Sequence, residues 1–247
     1  MSIAELPLLL LLLLAHILGD FVLQPSAWVD ERYAKHYASK RLYAHAVIHG
    51  ALSLAVLSLL LAPSWQTVAI AAVIGLSHFG IDLAKSYTPP GRLSWFVVDQ
   101  LLHLLVLGLV WLAVSNQWAL VDAVSAYITS VDALLVLIGY VVVIWPFSIV
   151  IGLICKRWTK DIEGSDTLTD AGKTIGQLER ILILTFILVN QFAAIGFLLA
   201  AKSILRFGDT KERNHRKINE YILVGTMASF SITIAFGLFL AALVKNL

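Results

Sequence analysis

The chain has 247 residues, 59% of them hydrophobic and 14% charged, with a formal net charge of +2. At a mean hydropathy of +0.85 this composition excludes an ordinary soluble domain, and the long apolar runs point to spanning helices rather than the short alternating strands of an outer-membrane barrel. The near balance of charge says little about partners, and no basic stripe with interleaved aromatics argues for nucleic acid, so no nucleic-acid partner is expected. The single cysteine, Cys155, excludes an intramolecular disulfide and reads as a small buried hydrophobe.

The leucine-rich start lacks a basic leader and a small-x-small cleavage site, so it reads as the first membrane helix, residues 4–23, with Pro25 and Ser26 as its stop. Residues 24–40 are polar and basic, with Arg32, Lys35 and Lys40 against Asp30 and Glu31, which places them on the cytoplasmic side by the positive-inside rule. Helix two, 42–61, leads to an uncharged turn at 62–66. Helix three, 67–85, returns to an inner turn at 87–93 that holds Pro89, Pro90, Gly91 and Arg92, and helix four covers 94–114. Residues 115–131 contain no lysine or arginine and fit the outer face as an amphipathic interfacial helix with Trp118 and Tyr127.

Helix five, 133–155, should kink at Pro146. A polar loop at 156–174 precedes helix six, 175–204, and helix seven, 221–244. The expected fold is an all-α polytopic transmembrane bundle of about seven spans. Residues 1–115 form a four-helix metal-binding half and 116–247 a three-helix half with basic loops. One count conflicts with seven spans, because the basic stretch 202–217 would then lie outside. Either it departs from the charge rule, or helix six, with Asn190 and Gln191 midway, is broken or re-entrant.

Four polar pairs stand near the ends of the first four apolar runs: His16 with Asp20, His45 with His49, His78 with Asp82, and Asp99 with His103. Each pair has i,i+4 spacing, which brings both side chains to one helix face with Cβ atoms roughly 5–6 Å apart. Two side chains so spaced can share one metal ion. Because neighbouring helices run antiparallel, pairs late in helices one and three are level with pairs early in helices two and four. All eight residues can therefore occupy one layer, one to two turns in from the cytoplasmic boundary. His16-Ile-Leu-Gly-Asp20 echoes His78-Phe-Gly-Ile-Asp82, and each is followed by a helix whose pair ends in histidine, so the four helices read as two similar hairpins. Carboxylates and imidazoles projecting inward from four helices are how bundle cores hold paired metals, and eight ligands suffice for two ions. The alternative is interhelical hydrogen bonding, worth roughly 0.6 kcal/mol for an average membrane pair. It loses ground when so many ionisable groups share one layer. His36 and His215 fall in charged loops and read as solvated.

The donor types suit zinc first, with iron or manganese compatible, and argue against copper(I) or an iron–sulfur cluster. An ion there would activate water, with Asp20 or Asp99 as catalytic base. Farther along, Lys202 and Arg206 share a helix face and could clamp a phosphate or snorkel to lipid phosphates, while Glu179 and Arg180 could pair within the protein. Gly225 and Ser229 form a small-residue packing face.

The N-terminal H-x-x-x-D, H-x-x-x-H, S-H-x-x-x-D and D-Q-x-x-H pattern, with the stretches at 172–180 and 201–208, resembles the bacterial membrane family Domain of Unknown Function 3307. The resemblance implies a bacterial inner-membrane protein and brings no established activity. Ligand residues on membrane helices are also similar in kind to inner-membrane metal-dependent hydrolases and to seven-span ceramidase-like hydrolases, though neither motif order matches. Three functions stay open: a metal-dependent hydrolase of a lipid or phosphoester near the cytoplasmic face, a proton or metal-ion transporter using the same layer, and a scaffold whose pairs only join helices. The expected partner is membrane lipid, and homo-oligomers are left open.

Overall fold

The structure is a computed structural model that describes residues 6–159, 166–204 and 213–245, and within them the side chains outside 157–171 and 204–222. The described residues contain helices and no strand, and the chain divides into two compact units, 1–123 and 124–247.

In the first unit α1 (Leu6–Ile17) runs into a π-helical turn, Leu18–Val22, that carries Asp20. Such widened turns are frequent at functional sites. Pro25, at φ −63° and ψ 147°, then redirects the chain into α2 (Ser26–Lys35) and a 3₁₀ turn at His36–Ala38, bent 81° from the first segment. The sequence suggested a polar loop here. The stretch is helical because good helix formers such as Ala27, Glu31, Arg32, Ala34 and Lys35 follow the proline, and Arg32 is buried from it.

Three long helices complete the unit. α3 (Lys40–Leu60) starts on the Ser39 hydroxyl, which accepts from the Leu42 amide at 3.3 Å. α4 (Trp65–Ser86) opens with a capping box between Ser64 and Thr67, and α5 (Leu93–Ser115) ends at Asn116 in the left-handed region. α3 and α4 approach closely through glycines: a Cβ on Gly75 would lie 3.1 Å from the Ala46 carbonyl oxygen and 3.3 Å from the Gly50 Cα. Leu8, Leu12, Leu57, Ala71, Ile74, Leu107 and Trp111 form an apolar core drawn from the start of α1, the end of α3, the start of α4 and the second half of α5. The opposite end of the same four helices is left for the polar pairs.

α6 (Ala119–Ile128) is short and buries none of its residues. In the second unit, α7 (Val131–Ile144) and α8 (Pro146–Thr159) meet at Pro146, where the sequence required a kink. Helix six of the sequence is two helices, α9 (Asp166–Leu188) and α10 (Phe192–Ile204), separated by Asn190 at φ 59°. α11 (Arg213–Lys245) closes the chain. Its core comprises Ile183, Ile187, Ile195 and Phe230 beside Val143, Leu184 and Leu240.

Five segments among the described residues are long and apolar enough to span a membrane: Lys40–Leu60, Trp65–Ser86, Leu93–Ser115, Val131–Lys156 and Leu223–Lys245. The bent pair α1–α2 can add a sixth. The molecule is thus an all-α membrane protein. The sixth span anticipated, at residues 175–204, is absent from this set because Asn190 divides it, leaving Phe192–Ser203 as a short apolar helix. Residues 205–212 of the basic stretch 202–217 lie outside the described residues.

Candidate metal centre

The eight paired residues meet. His16 and Asp20 come from the end of the first helix and its π turn, His45 and His49 from early α3, His78 and Asp82 from late α4, and Asp99 and His103 from early α5. Three donor groups result: His16, Asp20, His49 and His78; His45, His78 and Asp82; and Asp82, Asp99 and His103. Within each group one ligand atom per residue lies within 4.8 Å of the others. His78 and Asp82 each belong to two groups, so the three join into a single cluster of five imidazoles and three carboxylates. Seven of the eight are buried, and Asp20 is nearly so.

Asp20 is at the centre. Its Oδ1 faces the Nε2 atoms of His49 at 3.0 Å and of His45 and His78 at 3.3 Å each, while its Oδ2 accepts from the Gln100 amide at 2.9 Å. The rings crowd as well: His49 and His78 stack with centroids 3.6 Å apart, and His103 lies 4.0 Å from His78. The Asp82 Oδ2 lies 3.5 Å from His45 Nε2 and 3.6 Å from His78 Nε2. A small pocket reaches from His16, His49, His78 and His103 toward Ser53 and Ser77.

Two cations border the carboxylates. Arg32, buried under α2, pairs with Asp82, and Lys85 donates to Asp99 Oδ2 at 2.6 Å. Gln100 also donates to Asp99 Oδ2, at 3.2 Å, and its Oε1 lies 3.4 Å from His16 Nε2, so this one amide touches three of the eight residues.

Whether these residues fit a metal ion is answered by their unsatisfied atoms. Asp99 Oδ1 and both His103 ring nitrogens are buried without a hydrogen-bond partner among the described residues. Buried polar groups are normally paired, since leaving one unmet costs roughly 1–3 kcal/mol. A scaffold of interhelical hydrogen bonds would align donors with acceptors. Here three imidazole Nε2 atoms crowd one carboxylate oxygen, Asp20 Oδ1, and two of them, on His45 and His78, also lie 3.0 Å from each other, so one small space gathers more potential ligand atoms than pairwise hydrogen bonds between helices require. Oxygen and imidazole nitrogen donors without thiolate form a set compatible with divalent first-row metals. The cluster could hold a metal ion.

The same region carries the relationship to other proteins. The chain matches the family model described as protein of unknown function (DUF3307) over residues 8–135, more than half of its length. It belongs to the DUF3307 family. No curated protein and no solved structure matches it. The matched stretch contains every donor of the cluster together with Arg32, Lys85 and Gln100, so what the DUF3307 model describes is the unit that gathers the site.

Sequence reasoning missed four participants of this DUF3307 site. Arg32 was counted only as an inner positive charge, because its partner Asp82 lies on a helix remote in sequence. Lys85 ends the third apolar run, and nothing local to it marks its partner Asp99 on the next helix. Gln100 adjoins Asp99 in the D-Q-x-x-H pattern, and that adjacency was the available signal. Gly19 has a side-chain reason: a Cβ there would collide with the His49 ring. His36, expected to be solvated, stacks on Tyr87 with centroids 4.2 Å apart and places Nδ1 3.0 Å from the Ser86 hydroxyl, tying the end of α2 to the end of α4. In the second unit, Lys202 donates to Glu179 at 2.7 Å. Arg180 bonds the Val143 carbonyl, at 2.6 Å, and the Ser148 hydroxyl, so both Glu179 and Arg180 find partners within the protein. Arg206 lies outside the described residues, as does the His215 side chain.

Proposed function

We propose that this protein is a metal-dependent hydrolase of the bacterial inner membrane, acting near the cytoplasmic face on a lipid or a phosphoester. The observation that carries the reading is the overlap of three donor groups through His78 and Asp82. His16, Asp20, His49 and His78 are one ligand set, and His45, Asp82 and His103 extend it toward a second ion. Zinc is the first expectation, with iron or manganese suited to the same donors. A divalent ion in this setting supplies Lewis acidity and acidifies water.

The chain's own groups then divide the work. Asp20, ringed by three imidazole nitrogens, suits a ligand. Asp99 suits the base, because Lys85 and Gln100 hold its Oδ2 while Oδ1 remains free of hydrogen bonds. Asp99 would take a proton from the attacking water as the water oxygen bonds to the ester centre, and would return that proton to the departing oxygen as its ester bond breaks, releasing an alcohol. Transit of protons or metal ions is the second reading. It would need polar groups along the whole bundle, whereas apolar Leu8, Leu12, Leu57, Ile74, Leu107 and Trp111 fill the end beyond the donors.

Elemental analysis of purified protein beside His49→Ala and Asp82→Ala tests the reading. The wild type is expected to hold about one equivalent or more of a transition metal and the variants distinctly less. Under about 0.2 equivalents in the wild type would end the metal reading. With metal present, liposomes carrying the protein should turn over lipid phosphoester without metal or proton flux, and flux without turnover would select the transporter.

A further inference from the structure

Three carboxylates and two cations share the cluster, Asp20, Asp82 and Asp99 against Arg32 and Lys85. With the imidazoles neutral, as metal binding requires, the protein groups carry one net negative charge. A single divalent ion turns the site to +1, and two raise it to +3. Net charge shut inside a membrane bundle is strongly disfavoured unless an opposite charge joins it. A site designed only to hold cations would not spend two of its three carboxylates on internal partners. Arg32 is itself buried; its Nη1 meets Asp82, while its Nε lacks a hydrogen-bond partner among the described residues. Lys85 is the more accessible of the pair, with its side chain 16% exposed.

We propose that the metal-loaded centre binds a phosphate-type oxyanion, with Arg32 and Lys85 as its protein-borne cations. This rests on the metal reading above and narrows its substrate to a compound bearing a phosphate group. The guanidinium offers a planar set of donors matched to phosphate oxygens, and the lysine adds a point charge on the Asp99 side. A tetrahedral oxyanion spreads more oxygens in more directions than a planar carboxylate, which suits it to meet a metal ion and both cations together. The phosphate group could come from a lipid head group or from free phosphate, since both present the same oxygens.

The test uses the full chain in neutral detergent, loaded with zinc and titrated calorimetrically with inorganic phosphate, with dihexanoyl phosphatidic acid and with acetate as the carboxylate control. Binding of either phosphate compound in preference to acetate, and only in the presence of zinc, supports the proposal; phosphatidic acid alone points to a lipid source and inorganic phosphate alone to a soluble one. Arg32→Gln and Lys85→Gln should each weaken phosphate binding about tenfold or more, the usual effect of losing a charged hydrogen bond, while retaining zinc. Because Arg32 is buried and its variant could misfold, Lys85→Gln is the deciding one. Zinc bound with no phosphate binding, or with wild-type phosphate affinity in Lys85→Gln, overturns the proposal and leaves the metal reading standing. Failure to bind zinc removes both.

Discussion

Gly19 stands next to Asp20 on the π turn, and its missing side chain makes room for the His49 ring. Gly19→Ala should push that ring away from Asp20 Oδ1, now 3.0 Å distant. The expected result is a roughly ten- to hundredfold loss of metal affinity, the range seen when groups that orient ligands are altered, with helical content by circular dichroism unchanged. Chelator competition measures it, and wild-type affinity would remove His49 from the ligand set. At this scale the sequence was informative where geometry is local. The spacing His78 to Asp82 fixes a shared helix face whatever the rest of the chain does, so all four pairs could be read directly. Arg32 and Lys85 answer to partners on other helices, and no local pattern announces such a contact. The buried arginine was hidden for a second reason, since residues 24–40 look like loop until α2 folds back on α4.

Proline explains an element-scale contact in the second unit. Pro146 has no amide hydrogen to give to the preceding turn, so the ladder between α7 and α8 is broken there. Side chains from α9 reach the turn: Arg180 donates to the Val143 carbonyl at 2.6 Å, and Gln177 to the Ile144 carbonyl at 3.3 Å. The stretch 172–180 therefore serves the kink, with Glu179 free to hold Lys202. Arg180→Leu strips the buried Val143 carbonyl of that donor and should lower unfolding stability by roughly 1–3 kcal/mol. Gln177→Ala should lower it less, and thermal unfolding in detergent gives both values. A silent Arg180→Leu would show that the kink does not depend on it. The kink itself was readable, because proline's chemistry acts at its own position. The division at Asn190 was signalled only by two polar residues in an apolar run, and a left-handed backbone at a non-glycine residue leaves no clearer mark in a sequence.

Across the whole molecule the donors, α2 and most of the first unit's positive charge gather at one end of its helices. Lys35, Lys40, Arg41, Lys85 and Arg92 belong to that end, while the turn between α3 and α4, with Pro63, carries no charge. The positive-inside rule predicts a cytoplasmic position for that end, because short loops rich in lysine and arginine tend to stay in the cytoplasm. In a Cys155→Ala background, Pro63→Cys and Pro90→Cys place a thiol at exposed positions in the two opposite turns. A membrane-impermeant maleimide should label Pro63→Cys in intact bacterial cells and label Pro90→Cys only after the membrane is permeabilised. That outcome puts the His and Asp layer within one or two turns of the cytosol, where a phosphate-bearing head group of the inner leaflet can reach it. The reverse labelling would turn the unit over, moving the donors to the outer leaflet, and would require the substrate to be sought there.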